Sequence, residues 1–145
     1  ILPEKLKKMI TIGRLDMNTE GLLLLTNDGE VARKMELPET ALVRNYRARV
    51  HGKLQLERLK KLENGIKIDG VYYKKIIIKV EKTIGTNSWL KVSLTEGKNR
   101  EIKKVLQYFG LEVNRLIRIS FGDFYLKDIA VGTVVDVTEK YSISY

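Results

Sequence analysis

The segment YYKKIIIKVEKTIGTNSWLKVSLTEG, residues 72–97, constrains the fold more than any other part of the chain. β-Branched and apolar residues crowd both sides of Gly85, so it reads as two strands around a turn at residues 85–87. Strands joined so closely lie antiparallel. Further strand patterns occur at residues 11–12 and 22–27, on either side of a polar turn that holds Asp16. ALVRNYRARVHG, residues 41–52, alternates Val43, Tyr46, Ala48 and Val50 in an imperfect strand pattern. VNRLIRISFG (113–122) and GTVVDVTEKYSISY (132–145) read as strands too.

Helical signals are fewer. Asp28 is placed to cap a short helix running to about Met35. In QLERLKKLENG, Leu56, Leu59 and Leu62 recur at helical spacing, and Asn64-Gly65 supplies a stop. KNREIKKVLQYFG is the clearest helix, with Ile102, Val105, Leu106 and Phe109 on one apolar face. Asn99 is its expected N-cap and Gly110 its C′ residue, while Arg100, Lys103, Lys104 and Gln107 form an adjoining basic and polar stripe. The expected fold class is α+β: a mixed, largely antiparallel sheet with flanking helices, as one domain over 1–145.

Charge narrows the partners. Lys and Arg number 27 against 18 acids, giving a net charge of +9. A surplus of this size favours a polyanionic partner, nucleic acid first and an anionic membrane second. A composition of 43% hydrophobic and 31% charged residues reads as globular and soluble. No apolar run approaches the roughly 20 residues of a membrane span, and no signal-peptide pattern is present. There is no cysteine and one histidine, His51, which excludes thiolate chemistry and the usual zinc sites and fits a reducing, cytoplasmic compartment. Neither G-x-x-x-x-G-K-[ST] nor G-x-G-x-x-G occurs, and no acids cluster at metal-ligand spacing. If the chain is an enzyme, the expectation is that it works without cofactor or metal.

Three groups of residues carry possible chemistry. Asp16 can act as nucleophile, base or electrostatic stabiliser, with Arg14 nearby favouring its ionised form; a turn aspartate bonded to backbone amides is the alternative. Lys103 follows Ile102, so it flanks the apolar helix face and can point into a cleft, or simply be solvated. Aromatic residues also interleave with arginines. Tyr46 stands among Arg44, Arg47 and Arg49, and Phe121, Phe124 and Tyr125 follow Arg118. Rings can stack on unpaired bases while arginines meet phosphates, although Phe121 reads better as core and Tyr72 and Tyr73 fit either role.

GRLDMNTEGLLLLTNDG, residues 13–29, resembles the signature loop of the pseudouridine synthases of the small-subunit ribosomal type, a family that also includes the B-type synthases of large-subunit ribosomal RNA. RNYRARV is similar to the family's second motif, and EGKNREIKKVLQYFGLEVNRLIRISFGDFYL to its third region, with wording nearest those B-type synthases. The resemblance implies isomerisation of a uridine in RNA, most closely large-subunit ribosomal RNA, after the base is flipped into a pocket. It implies Asp16 as the catalytic carboxylate, Lys103 as its partner and Tyr46 beside the target base. Arg14, Thr19, Arg44, Arg100, Leu116 and Arg118 are the implied RNA contacts, with Leu116 helping to close the pocket. A monomer is expected. The family's K-P-x-G-like first strand and its S4 RNA-binding domain have no match here, so the expectation is a catalytic domain that begins inside the family pattern. Three rivals stand beside it: a catalytically silent RNA-binding domain on the same fold, another carboxylate enzyme such as a glycoside hydrolase, which needs a second acid, and last an unrelated basic structural domain.

Overall fold

The computed structural model describes residues 9–13, 15, 18–37, 40–98, 100–126 and 135. Its elements in chain order are β1 (Ile10–Ile12), β2 (Thr19–Gly21), β3 (Leu24–Thr26), α1 (Gly29–Glu36), β4 (Arg44–His51) and α2 (Leu56–Lys60, continued by a 3₁₀ turn, Lys61–Asn64). Then come β5 (Ile66–Ile68), β6 (Val71–Tyr73), β7 (Ile76–Ile84), β8 (Asn87–Leu94), α3 (Glu101–Tyr108), β9 (Glu112–Phe121) and β10 (Phe124–Tyr125).

The main sheet runs β10-β9-β4-β8-β7, and β2 adds to β9 beyond the end of β10. Every pairing is antiparallel except β2 with β9, which is parallel. The fold is therefore α+β with a mixed, largely antiparallel sheet, as its alternation and hairpin turn indicate. Two small sheets flank it, β1 with β3 and β5 with β6. The β5–β6 hairpin turns at Asp69-Gly70, both at positive φ, a turn that the sequence reading passes over.

One sheet face is covered by helices. Ala48 and Val50 of β4, Leu90, Val92 and Leu94 of β8 and Leu116 of β9 pack under Leu59, Ile102, Val105, Leu106 and Phe109. The four apolar positions of α3 are all buried, so its periodicity is a packing fact. Its C-terminus closes in a Schellman arrangement: Leu111 N–H donates to Leu106 O and Gly110 N–H to Gln107 O, with Gly110 at φ 77. The N-terminus departs from expectation. Arg100 holds the cap position in the left-handed region, with no side-chain cap; Asn99 lies outside the described residues.

The leucine run also departs from a single buried strand over 22–27. Leu22 and Leu24 are buried while Leu23 is 41% exposed, and only Leu24–Thr26 forms a strand, β3 paired with β1, whereas Thr19–Gly21 just before the run joins the main sheet as β2. Leu22 and Leu24 join Ile12, Ala32, Met35 and Phe121 in a second small core. Asp28 caps α1 as expected, accepting from Glu30 N–H at 2.9 Å. The strand pattern at 132–145 lies outside the described residues except for Val135.

Candidate active site

A cleft of about 630 Å³ opens where the helix-covered sheet face meets the N-terminus of α3 and the small β1–β3 unit. That volume suits a nucleotide-sized guest. Strand alternation sets its floor. Arg44 and Tyr46 lie on the same face of β4 as the buried Ala48 and Val50, and α3 covers only the far end of that face. Leu116 and Arg118 enter from β9, Thr19 from β2, and Lys103 from α3.

The cleft wall is mainly cationic, and its arginines Arg44 and Arg118 are fixed. Arg44 donates from Nη1 to the carbonyls of Thr95 at 2.7 Å and Leu42 at 3.1 Å, and its guanidinium sits 4.7 Å from the Phe121 ring centroid. Arg118 stands 5.1 Å from the same centroid. Burial pulls both arginines below the usual guanidinium range, and in each case the Tyr46 phenol opposes that drop. The Tyr46 phenol is close enough to the Arg118 guanidinium to act on it electrostatically, while Arg118 Nη2, buried, has no hydrogen-bond partner among the described residues.

Arg118 is only 2% exposed and lines the cleft from within the wall. Its Nε donates to Leu22 O at 2.8 Å, and its own carbonyl accepts from Leu22 N–H at 2.9 Å. One residue thus grips both backbone groups of Leu22. Gly21, beside it, has φ 107, and a Cβ there would collide with the Arg118 carbonyl oxygen. Glycine is required at this position on both counts. Leu116 is likewise interior, 4% exposed, with its side chain shared between core and cleft.

Arg14 and Asp16 lie outside the described residues. Their neighbours bracket the cleft: Gly13, Leu15 and Thr19 all line it. Gly13 N–H donates to Glu36 Oε1 at 2.7 Å, and Thr19 pairs with Leu116 on β9. Gly13 and Thr19 are therefore each anchored beside the cleft. Lys103 is half-buried on the cleft side of α3, whereas Arg100 is exposed at the rim.

Arg47 and Arg49 are not part of this site. They point to the opposite sheet face, away from Tyr46, because alternate residues of a strand face opposite ways. Arg47 makes a paired contact with Glu81, and Arg49 donates to Asn114. Phe121 is core, 1% exposed.

A carboxyl that the sequence reading passes over also lines the cleft. Glu101 is 3% exposed; its Oε1 accepts from Lys98 N–H, and its Oε2 has no hydrogen-bond partner. Burial, then the charge of neighbouring Glu96, push its carboxyl up to about 8. Burial also acts to raise Glu96, but hydrogen bonds from Lys98 Nζ and Lys74 N–H outweigh it and hold Glu96 below its ordinary value. The pair fixes the 95–100 loop that leads into α3. A sequence signal existed: Glu101 stands four residues before Val105 and eight before Phe109, on the apolar stripe.

The sequence model of a family described as RNA pseudouridylate synthase matches residues 1–108. A Rickettsia felis protein called an uncharacterized RNA pseudouridine synthase is 47% identical over 135 residues, covering 93% of this chain and 58% of its own. A ribosomal large subunit pseudouridine synthase B of Buchnera aphidicola is 40% identical over 123 residues, covering 83% of this chain and 48% of its own. The chain thus spans about half the length of such relatives. Among solved structures, the crystal structure of a pseudouridylate synthase superposes with a TM-score of 0.75 at 25% identity, covering 88% of this chain and 55% of that one. An H/ACA ribonucleoprotein bound to a substrate RNA gives 0.69 at 20% identity and shares the fold.

Proposed function

The chain belongs to the RNA pseudouridylate synthase family, and from that premise we propose that it isomerises a uridine to pseudouridine in RNA, with large-subunit ribosomal RNA as substrate. The observation that carries this reading is the cleft itself. A tyrosine, a buried leucine and fixed arginines line it together with Leu15, which Asp16 directly follows in the sequence. On this reading 1–145 is the catalytic domain.

The reaction breaks N1–C1′, turns the uracil and joins C5 to C1′, with no atoms gained or lost. Reaching the glycosidic bond requires the nucleotide to leave its stack. Asp16 either attacks C1′ or removes the C2′ proton. Lys103 holds that carboxylate ionised and aimed, since a buried carboxylate without a cationic partner tends to protonate. Tyr46, beside Arg118, stacks on the base and assists loss of the C5 proton. Thr19 and Leu116 close the pocket side. Arg14, Arg44 and Arg100 meet phosphates of the flipped nucleotide and its neighbours, an attraction that weakens with salt. Arg118 acts from behind the wall. The cytoplasm, where ribosomal RNA is made, is the expected compartment, and a monomer is the expected form.

The test is carbodiimide labelling of pseudouridine in unmodified large-subunit RNA after incubation with the full-length protein, read as reverse-transcription stops. A new stop that vanishes with Asp16→Asn is the expected result. Binding without any new stop, on ribosomal and on transfer RNA, would overturn the enzyme reading in favour of a silent RNA-binding domain.

A further inference from the structure

The sheet face opposite the cleft carries two rows of side chains set in register across four strands. One row reads Arg115, Arg49, Trp89, Lys82 from β9 to β7, and the next reads Ile117, Arg47, Lys91, Lys79. Three like-charged pairs stand directly opposite each other: Arg49 with Arg115, Arg47 with Lys91, and Lys91 with Lys79. Such pairs destabilise a sheet, where opposite charges would support it. Two carboxylates offset the rows, Glu20 on Arg115 and Glu81 on Arg47, which leaves the six cations in clear excess. Lys79, Lys82 and Lys91 are exposed. Trp89 lies under the guanidinium groups of Arg47 and Arg49, 4.4 and 5.8 Å from its ring centroid. Its ring is thereby occupied and the two arginines are held in place.

We infer that this face is a second RNA-contacting surface, which binds the sugar-phosphate backbone of the substrate RNA away from the flipped nucleotide. The inference rests on the RNA reading above and adds where the rest of that RNA lies. Charge complementarity carries it: like charges held in register across strands need a polyanion to offset their repulsion, and an RNA backbone offers phosphates in a row. With Trp89 already covered by arginines, the contact is to phosphate, so it is independent of base sequence and strongly salt-dependent.

Lys91→Glu separates this role from a structural one. Lys91 stands between Arg47 and Lys79, so the reversal turns two repulsive neighbours into attractive ones. The full-length variant is expected to unfold at the same or a higher temperature than the native protein, yet bind RNA more weakly. The probe is an unmodified large-subunit ribosomal RNA transcript, titrated at several salt concentrations. The expected loss is about tenfold or more at low salt, and the slope of log affinity against log salt becomes shallower by about 1, the signature of one fewer phosphate charge neutralised. Native affinity and slope in the variant would overturn the inference. So would a marked fall in unfolding temperature, which would mean that protein covers this face, or tighter binding to an acidic protein than to RNA. Pseudouridine is read in the same samples. A native protein that binds RNA without isomerising it defeats the enzymatic reading alone, while normal isomerisation with unchanged Lys91→Glu binding defeats the second surface alone.

Discussion

Replacing Gly21 with alanine asks how much the fold beside the cleft depends on the close β2–β9 pairing. An alanine Cβ would overlap the carbonyl oxygen of Arg118 and lie 2.7 Å from its backbone nitrogen. To bring that nitrogen to an ordinary 3.4 Å, the strands must part by about 0.7 Å. The Leu22 N–H to Arg118 O bond, now 2.9 Å, would then stretch to roughly 3.6 Å and cease to be a hydrogen bond. The Arg118 Nε bond to Leu22 O would follow it. Positive φ adds ~1–2 kcal/mol for a residue with a Cβ. Losing the neutral bond costs ~0.5–1.5 kcal/mol and the charge-assisted one ~1.5–3 kcal/mol. The total is about 3–6.5 kcal/mol, the sum of these terms. Gly85→Ala is the control: it too sits at positive φ, 62, but nothing lies within 4 Å of its Cβ. It should show the conformational cost alone, ~1–2 kcal/mol. Urea unfolding followed by circular dichroism measures both, and pseudouridine yield per folded molecule should fall only for Gly21→Ala. If the two variants lie within about 1 kcal/mol of each other, the steric argument is wrong and β2 does not depend on this close approach.

Two further outcomes follow from the cleft wall. Arg118→Lys keeps a positive charge but loses the donor that reaches Leu22 O, so it should destabilise the fold by ~1.5–3 kcal/mol in the same urea assay; an unchanged midpoint would mean that the grip on Leu22 contributes little. Glu101 sets a pH dependence. Its folded value of about 8 lies above its ordinary 4.5, so its contribution is complete below 4.5 and lost as pH rises through 8. Stability should fall across that window at up to ~1.4 kcal/mol per pH unit, and Glu101→Gln, neutral throughout, should flatten the decline. Parallel pH curves for the two proteins would show that Glu101 is not the group responsible.

Much of the architecture is a local property of the sequence. The apolar stripe of α3, the Asp28 cap, the Gly110 terminus and the β7–β8 turn each depend on residues within a few positions of one another, and all four form where the pattern places them. The signature loop and the tyrosine of RNYRARV were legible as motifs, and the family match agrees with them. The separation of Tyr46 from Arg47 and Arg49 was available too, from alternation alone, since even positions of β4 face the core and odd ones face away. The burial of Arg118 was not. Its neighbours in sequence make it look like one more basic residue, and only the parallel pairing of β2 with β9, nearly a hundred residues apart, turns it into a clamp on Leu22. The same holds for the two basic rows, whose like charges meet only once four strands are in register. Periodicity and capping are settled by short-range backbone geometry, which the sequence specifies by itself. Which side chains share a wall is settled by long-range pairing and register, and for this protein only the tertiary structure decides that.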